Sequence, residues 1–338
     1  MQPPPQPTPR LRRRLLLAGQ ILGWALLAAA LWMVLRQQPS LTTAWTSLRA
    51  APTWMVASII LTPILNWLAM GLLFWVLTNQ YAKVALGEMT ILMGSAWLLN
   101  LLPMRAGLLG RVAYQRAVHD LPVKDSVKIT IFSLVTQAVA VAILLTLMAF
   151  VHMFEALTPG LRPMRDPIVI SLLLATLAGL TSLPWALGSI PAIKGPAPID
   201  TWRLSLGVAI RFFDALVWTA RYWLAFNAIG APVNWSDAVI FATLSQVIAL
   251  TPVQFGLREW ATGLLTSILP ATRSLGLSAS TRAAIGVSAD LLCRAAELLI
   301  SIPVGILCTT IVLRRLNRAK HHPAPHLPDT VPPKPLQP

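Results

Sequence analysis

Six long apolar runs dominate this chain, at approximately 15–35, 54–77, 126–151, 167–187, 205–229 and 283–312. A helix needs about 20 mainly apolar residues to cross the hydrocarbon of a bilayer, so each run is long enough. Inside a bilayer no water bonds the backbone, and a single apolar run satisfies its own N–H and C=O groups only as a helix. Composition points the same way: 56% of residues are apolar and 12% are charged. Soluble domains are about one quarter charged, which excludes an ordinary cytosolic enzyme. Extensive disorder is excluded too, because disordered chain is polar and poor in large apolar residues. The expected class is an all-α integral membrane protein.

Two further runs, 89–102 and 238–251, are too short to cross. They end at Leu-Leu-Pro103 and Leu-Thr-Pro252, after which each resumes as a second half-helix. Proline stops a helix because it lacks the N–H and clashes with the preceding turn. Short apolar runs in a membrane protein are often re-entrant, and broken backbone persists at that depth only where protein or a wet cavity satisfies it. The expectation is six full transmembrane helices plus two re-entrant hairpins, at about 89–118 and 238–269.

The net charge of +15 is unevenly placed. Arg10, Arg12, Arg13 and Arg14 precede the first run, Arg105, Arg111, Arg116, Lys124 and Lys128 fall within 103–128, and Arg314, Arg315, Arg318, Lys320 and Lys334 follow the last. By the positive-inside bias all three patches are cytoplasmic, which sets both termini inside. Full crossings at the two short runs would place 103–128 outside, against that bias, so hairpins fit better. The basic balance then reflects cytoplasmic loops and anionic lipid rather than nucleic acid.

The run at 15–35 reads as an uncleaved anchor. The Pro-rich tails, with five prolines in 1–9 and seven in 321–338, read as disordered. The expected organisation is a cytoplasmic tail (1–14), a first membrane repeat (15–151), a second (152–313) and a basic tail (314–338). His321, His322 and His326 lack an acidic or thiol neighbour, so no metal site is expected. Cys293 and Cys308 lie about 22 Å apart along one helix, too far to bridge.

An offset of 149 residues carries Pro103, Gly107 and Leu108 onto Pro252, Gly256 and Leu257, and Glu88 onto Asp237. The same offset superposes the order of apolar runs. Each half would hold three spans and one hairpin, and an odd number of crossings inverts the second half. Inverted repeats with paired broken helices are the pattern of many secondary transporters, with the site at the repeat interface. Chance recurrence in a Pro-, Gly- and Leu-rich chain is the competing explanation of the hexapeptide.

At these breaks the sequence resembles the flippase-like transmembrane domain of lysylphosphatidylglycerol synthase and its stand-alone bacterial relatives. That family's first signature reads Asn-x-x-Pro-x-Arg-x-Gly-Glu-x-x-Arg. Here Asn100, Pro103, Arg105, Gly107 and Arg111 match, and Leu108 stands in place of the Glu. The second signature is a Pro-Gly-Gly-x-Gly-x-Arg-Glu turn, met by Pro252, Gly256, Arg258 and Glu259, with Val253 and Gln254 replacing glycines. The resemblance covers roughly 15–313. It implies movement of a lipid between leaflets of the bacterial inner membrane. No aminoacyl-transferase domain follows the last run, so lipid aminoacylation is not expected.

Candidate site residues cluster at the breaks and in the last run. Half-helix N-termini expose unpaired N–H groups that attract anions, and arginine adds a planar fork suited to phosphate. Arg105, Arg111, Arg258 and Glu259 would cradle a lipid headgroup; surface decoration is the bland alternative for the first two and an internal ion pair for the last two. Asp290, Arg294 and Glu297 share one helix face, as a headgroup path or a self-neutralising stripe. Arg211 and Asp214 read as a local pair. Asn100 and Gln246 would bond headgroups or glue helices.

No P-loop, H-E-x-x-H or Cys-x-x-Cys signature is present, so no cofactor is expected and transport would be passive, ion-coupled or potential-driven. The expected partners are membrane lipids with an anionic or phosphate-bearing headgroup. Two rivals stand beside transport: a scaffold for lipid-biosynthesis enzymes, and an intramembrane enzyme using Glu259, Asp290 or Glu297 as acid or base.

Overall fold

The computed structural model describes residues 45–100, 106–157, 165–188, 201–249, 256–269 and 276–321. Among them all regular structure is helical. After a helical turn at 45–50 come α1 (Thr53–Thr78), α2 (Leu86–Leu99), α3 (Ala106–His119), α4 (Val123–Leu157), α5 (Arg165–Gly188), α6 (Thr201–Ala228), α7 (Trp235–Ile248), α8 (Leu257–Ile268) and α9 (Ala279–His321). The first apolar run, Pro103, Arg105 and Pro252 lie outside the described residues.

Among the described residues three helices are long and apolar enough to cross a bilayer: α1, α4 over Val123–Met153, and α9 over Ala279–Arg318. Their side chains are arranged inside out. On α1, Leu61, Leu65 and Leu68 are exposed while Thr62 and Asn66 are buried. On α4, Val127, Ile131, Val135 and Val139 face outward and Ser126, Ser133 and Gln137 inward. Exposed apolar stripes with a polar interior suit hydrocarbon as the surrounding solvent. α6 is equally long but carries Arg203, Arg211, Asp214 and Arg221, and the last three are buried.

Local chemistry explains how these helices persist. Pro63 within α1 leaves the Ile59 carbonyl without its N–H donor, and the Thr62 hydroxyl donates to that carbonyl at 2.9 Å. Pro303 interrupts α9 in the same way. Small residues bring helices close: any Cβ on Gly305 would strike Leu98, and one on Gly94 would strike Cys308, so α2 and α9 pack backbone to backbone.

The two short-helix pairs are matched in size. The 149-residue offset carries Leu86–Leu99 onto Trp235–Ile248, with α1 and α6 agreeing within a residue or two. Within each pair the helices pack together. The first pair is tied to the C-terminal turns of α9: Glu88 accepts a hydrogen bond from Tyr114 at 2.6 Å, meets His119 at 2.9 Å, and pairs with Arg315 at 3.3 Å. The second is tied to the N-terminal turns, where Arg282 donates to the Ser267 carbonyl at 2.9 Å and Ala238, Leu269 and Ala289 share an apolar cluster. The pairs therefore anchor at opposite ends of one helix.

Two expected boundaries move. α4 runs unbroken through 151/152 to Leu157, since nothing in Val151–Glu155 breaks a helix. The segment from 314 is helical as far as His321, not an unstructured tail, because Leu316 packs on the α1–α2 core and Arg315 pairs with Glu88.

Candidate functional site

A cavity of about 330 Å³ lies among the C-terminal ends of α2 and α7, the start of α3, and α1, α4 and α6. Asn100 and Gly107 line it from the ends of α2 and α3, and Gln246 and Ala249 from the end of α7. Gly107 is required there: a Cβ would strike the Ala96 carbonyl and the Asn100 side chain. Gly256 is required for a different reason, since its φ of 80° caps α8 in the left-handed region that side chains disfavour.

One wall of the cavity is a polar ladder on α4. Thr130, Ser133 and Gln137 fall at i, i+3 and i+7, on one face of an otherwise apolar helix. Each rung holds a side chain from another element. Thr130 Oγ1 accepts from Arg111 Nη2 at 2.6 Å, Ser133 Oγ accepts from Arg211 Nη2 at 2.8 Å, and Gln137 donates to Gln246 Oε1. The same two arginines rest one turn apart on α1, with Arg111 3.9 Å above the Phe74 ring and Arg211 Nη1 2.8 Å from Met70 Sδ. Their contact points on α1 and on α4 are thus offset by one helical turn, roughly 5 Å.

Each rung also leaves a donor unused. Among the described residues Arg111 Nε, Arg211 Nε and Gln246 Nε2 have no hydrogen-bond partner, although these residues are only 2%, 9% and 7% exposed. Arg211 has Asp214 at 3.7 Å. Arg111 has no carboxylate within salt-bridge distance among the described residues. A buried cation without a counter-charge is costly, so this group is set to meet one.

Beyond the ladder the polar network continues. Asn66 donates to Asp214 Oδ1 at 2.7 Å and accepts from Arg221, whose Nε reaches Thr62 at 3.0 Å. Arg221 and Arg258 both lie over Trp218, at 4.6 and 5.5 Å. Arg258 pairs with Asp290 at 3.0 Å and Glu297 at 3.4 Å, and Arg294 pairs with Glu297 at 3.2 Å. Tyr222 bridges Ser245 and Asp290.

The sequence-derived site residues therefore divide. Asn100, Gly107, Arg111 and Glu297 line the cavity; Arg258, Asp290 and Arg294 form the ion-pair cluster behind it. Surface decoration is overturned for Arg111, which is buried against the Phe74 ring. Glu259 is buried with Oε2 unpartnered. Asp290 and Glu297 are each held by arginine, which ties up two of the three carboxylates that acid–base chemistry would use. The Arg211–Asp214 pair is real but reaches, through Asn66, to Arg221. Sequence reasoning passed over Thr130, Ser133, Gln137, Thr62 and Asn66. Their signal was helical spacing: polar residues at i, i+3, i+7 in one apolar run and i, i+4 in another.

Outside the spans, the Glu88 cluster has its own electrostatics. Burial raises the Glu88 carboxyl, but hydrogen bonds from Tyr114 and His119 and the charges of His119 and Arg315 outweigh it and hold the group below 4.5. Burial and Glu88 push the Tyr114 hydroxyl up to about 12, so it remains a donor. Among the described residues no group of His, Cys, Asp and Glu could hold a metal ion, and both cysteines are free thiols. Compared with protein-family models, curated proteins and solved structures, the chain matches none.

Proposed function

We propose that this chain is a lipid flippase-like transporter of the bacterial inner membrane, moving a phosphate-bearing lipid between leaflets. It crosses six times, carries two re-entrant hairpins (α2–α3 and α7–α8) arranged as an inverted repeat, and keeps both termini in the cytoplasm. The observation that carries this reading is the cation-lined cavity at the ends of α2 and α7, enclosed by helices whose outer faces are apolar. A site between paired broken helices is the arrangement of many secondary transporters. The resemblance to the flippase-like domain of lysylphosphatidylglycerol synthase points the same way. Leu108 and Leu134 line the cavity yet are 37% and 44% exposed, so the cavity reaches the apolar outer surface between α3 and α4. A headgroup could enter there while its acyl chains stay outside.

Reconstitution of the full chain into liposomes carrying a leaflet-restricted fluorescent phospholipid tests the reading. Flipping should exceed that of empty vesicles, and Arg111→Gln should slow it at least about tenfold, the scale of one lost charge-assisted contact. Flipping at the empty-vesicle rate would sink transport; copurifying lipid-synthesis enzymes would then favour a scaffold.

A further inference from the structure

We infer that the cavity is a seat for a phosphodiester lipid of one negative charge whose head ends in uncharged oxygens, and that it selects against amine-bearing heads. The inference rests on the transport reading for its lipid source, but its chemistry stands on the cavity alone. The lining carries Arg111, Arg211 and Arg221 against Asp214 and Glu297, which leaves one positive charge. Adding the ion-pair cluster behind it, Arg258 and Arg294 against Glu259 and Asp290, leaves the balance unchanged. A single anionic ligand neutralises the site, and a cationic one would double the excess.

Geometry assigns the parts. Arg111 on α3 and Arg211 on α6 both line the cavity, each with an Nε that has no hydrogen-bond partner among the described residues, and they touch α1 and α4 at points one turn apart, which lets their guanidinium groups bracket one phosphate. Gln246 Nε2 is the next unused donor along the ladder, where a hydroxyl or ether oxygen would accept. An amine would find no free carboxylate in the cavity lining. Asp214 is engaged by Arg211 and Asn66, and Glu297 by Arg258, Arg294 and Trp97. At about 330 Å³ the cavity has room for a headgroup and little else. The chains would leave past Leu108 and Leu134.

Leu108 decides the charge of the seat. It stands at i−3 to Arg111, so a carboxylate there would lie on the same helix face as the guanidinium. Leu108→Glu would neutralise the cavity without disturbing a buried contact.

Calorimetric titration of the detergent-purified full chain with dihexanoyl lipids below their micelle concentration tests the assignment. Dihexanoylphosphatidylglycerol should bind at least about tenfold more tightly than dihexanoylphosphatidylethanolamine, since the two differ by one amine charge facing a cationic cavity. Leu108→Glu and Arg111→Gln should each weaken phosphatidylglycerol binding at least about tenfold. The wild-type comparison needs no variant, so misfolding of either leaves the inference exposed. Equal affinity for the two lipids, or unaltered binding in a folded Leu108→Glu protein, would overturn it. Glycerophosphoglycerol or inorganic phosphate binding as tightly as the lipid would overturn the lipid source. Selective binding without flipping would uphold the seat and sink transport; equal flipping of both lipids would do the reverse.

Discussion

Asp290 shows how little freedom a buried charge has in this protein. It is fully buried, and it answers Arg258 while accepting from Tyr222. Asp290→Ala would leave Arg258 with only the longer contact to Glu297. Breaking a buried pair by removing one partner costs roughly 3–5 kcal/mol, whereas replacing both by apolar residues is often neutral. The expected result is a large drop in thermal stability in detergent for Asp290→Ala, much of it regained in Arg258→Met with Asp290→Leu. A double variant no more stable than the single one would give the pair a role other than charge compensation. The arginines were legible in the sequence because a charge in an apolar run is conspicuous. Their partners were not: Thr130, Ser133 and Asn66 are ordinary in a membrane helix, and only the fold shows that they meet arginines from other elements.

At the scale of elements, the ends of the short-helix pairs were legible to within a few residues, since proline and apolar length act locally. How each pair is fastened was not, because it depends on contacts such as Glu88 with Arg315, more than two hundred residues apart. That fastening has a pH dependence. Glu88 is held below its ordinary value, so its contribution is complete above about pH 4.5 and is lost as pH falls through its lowered value. Acidification into that range should loosen α2 and α3 from the last turns of α9, seen as faster amide exchange around Arg315. Glu88→Gln should give fast exchange at neutral pH and remove this acid step. An unchanged acid response in Glu88→Gln would assign it to another group.

At the scale of the whole molecule, the described residues give α9 two differently fastened ends: His119 and Arg315 meet Glu88 at its C-terminal turns, while Arg282 bonds Ser267 near its start. If the chain crosses as proposed, Lys83→Cys should react with a membrane-impermeant maleimide only after permeabilisation, and Ser280→Cys should react in intact cells. Labelling of both from one side would break the six-span arrangement. One consequence concerns α9 as a mechanical part. Its N-terminal stretch is bonded to α8 through Asp290 and Glu297, its C-terminal stretch to α2 through Ser95–Thr309 and to Glu88 through Arg315, and Pro303 falls between. The helix is therefore an axle with a built-in joint: the missing N–H at Pro303 puts its softest point between its two couplings. Among the described residues one bond spans that joint, Trp97 of α2 donating to Glu297 at 3.4 Å, so a tilt of the α7–α8 pair would reach α2 through that single long contact.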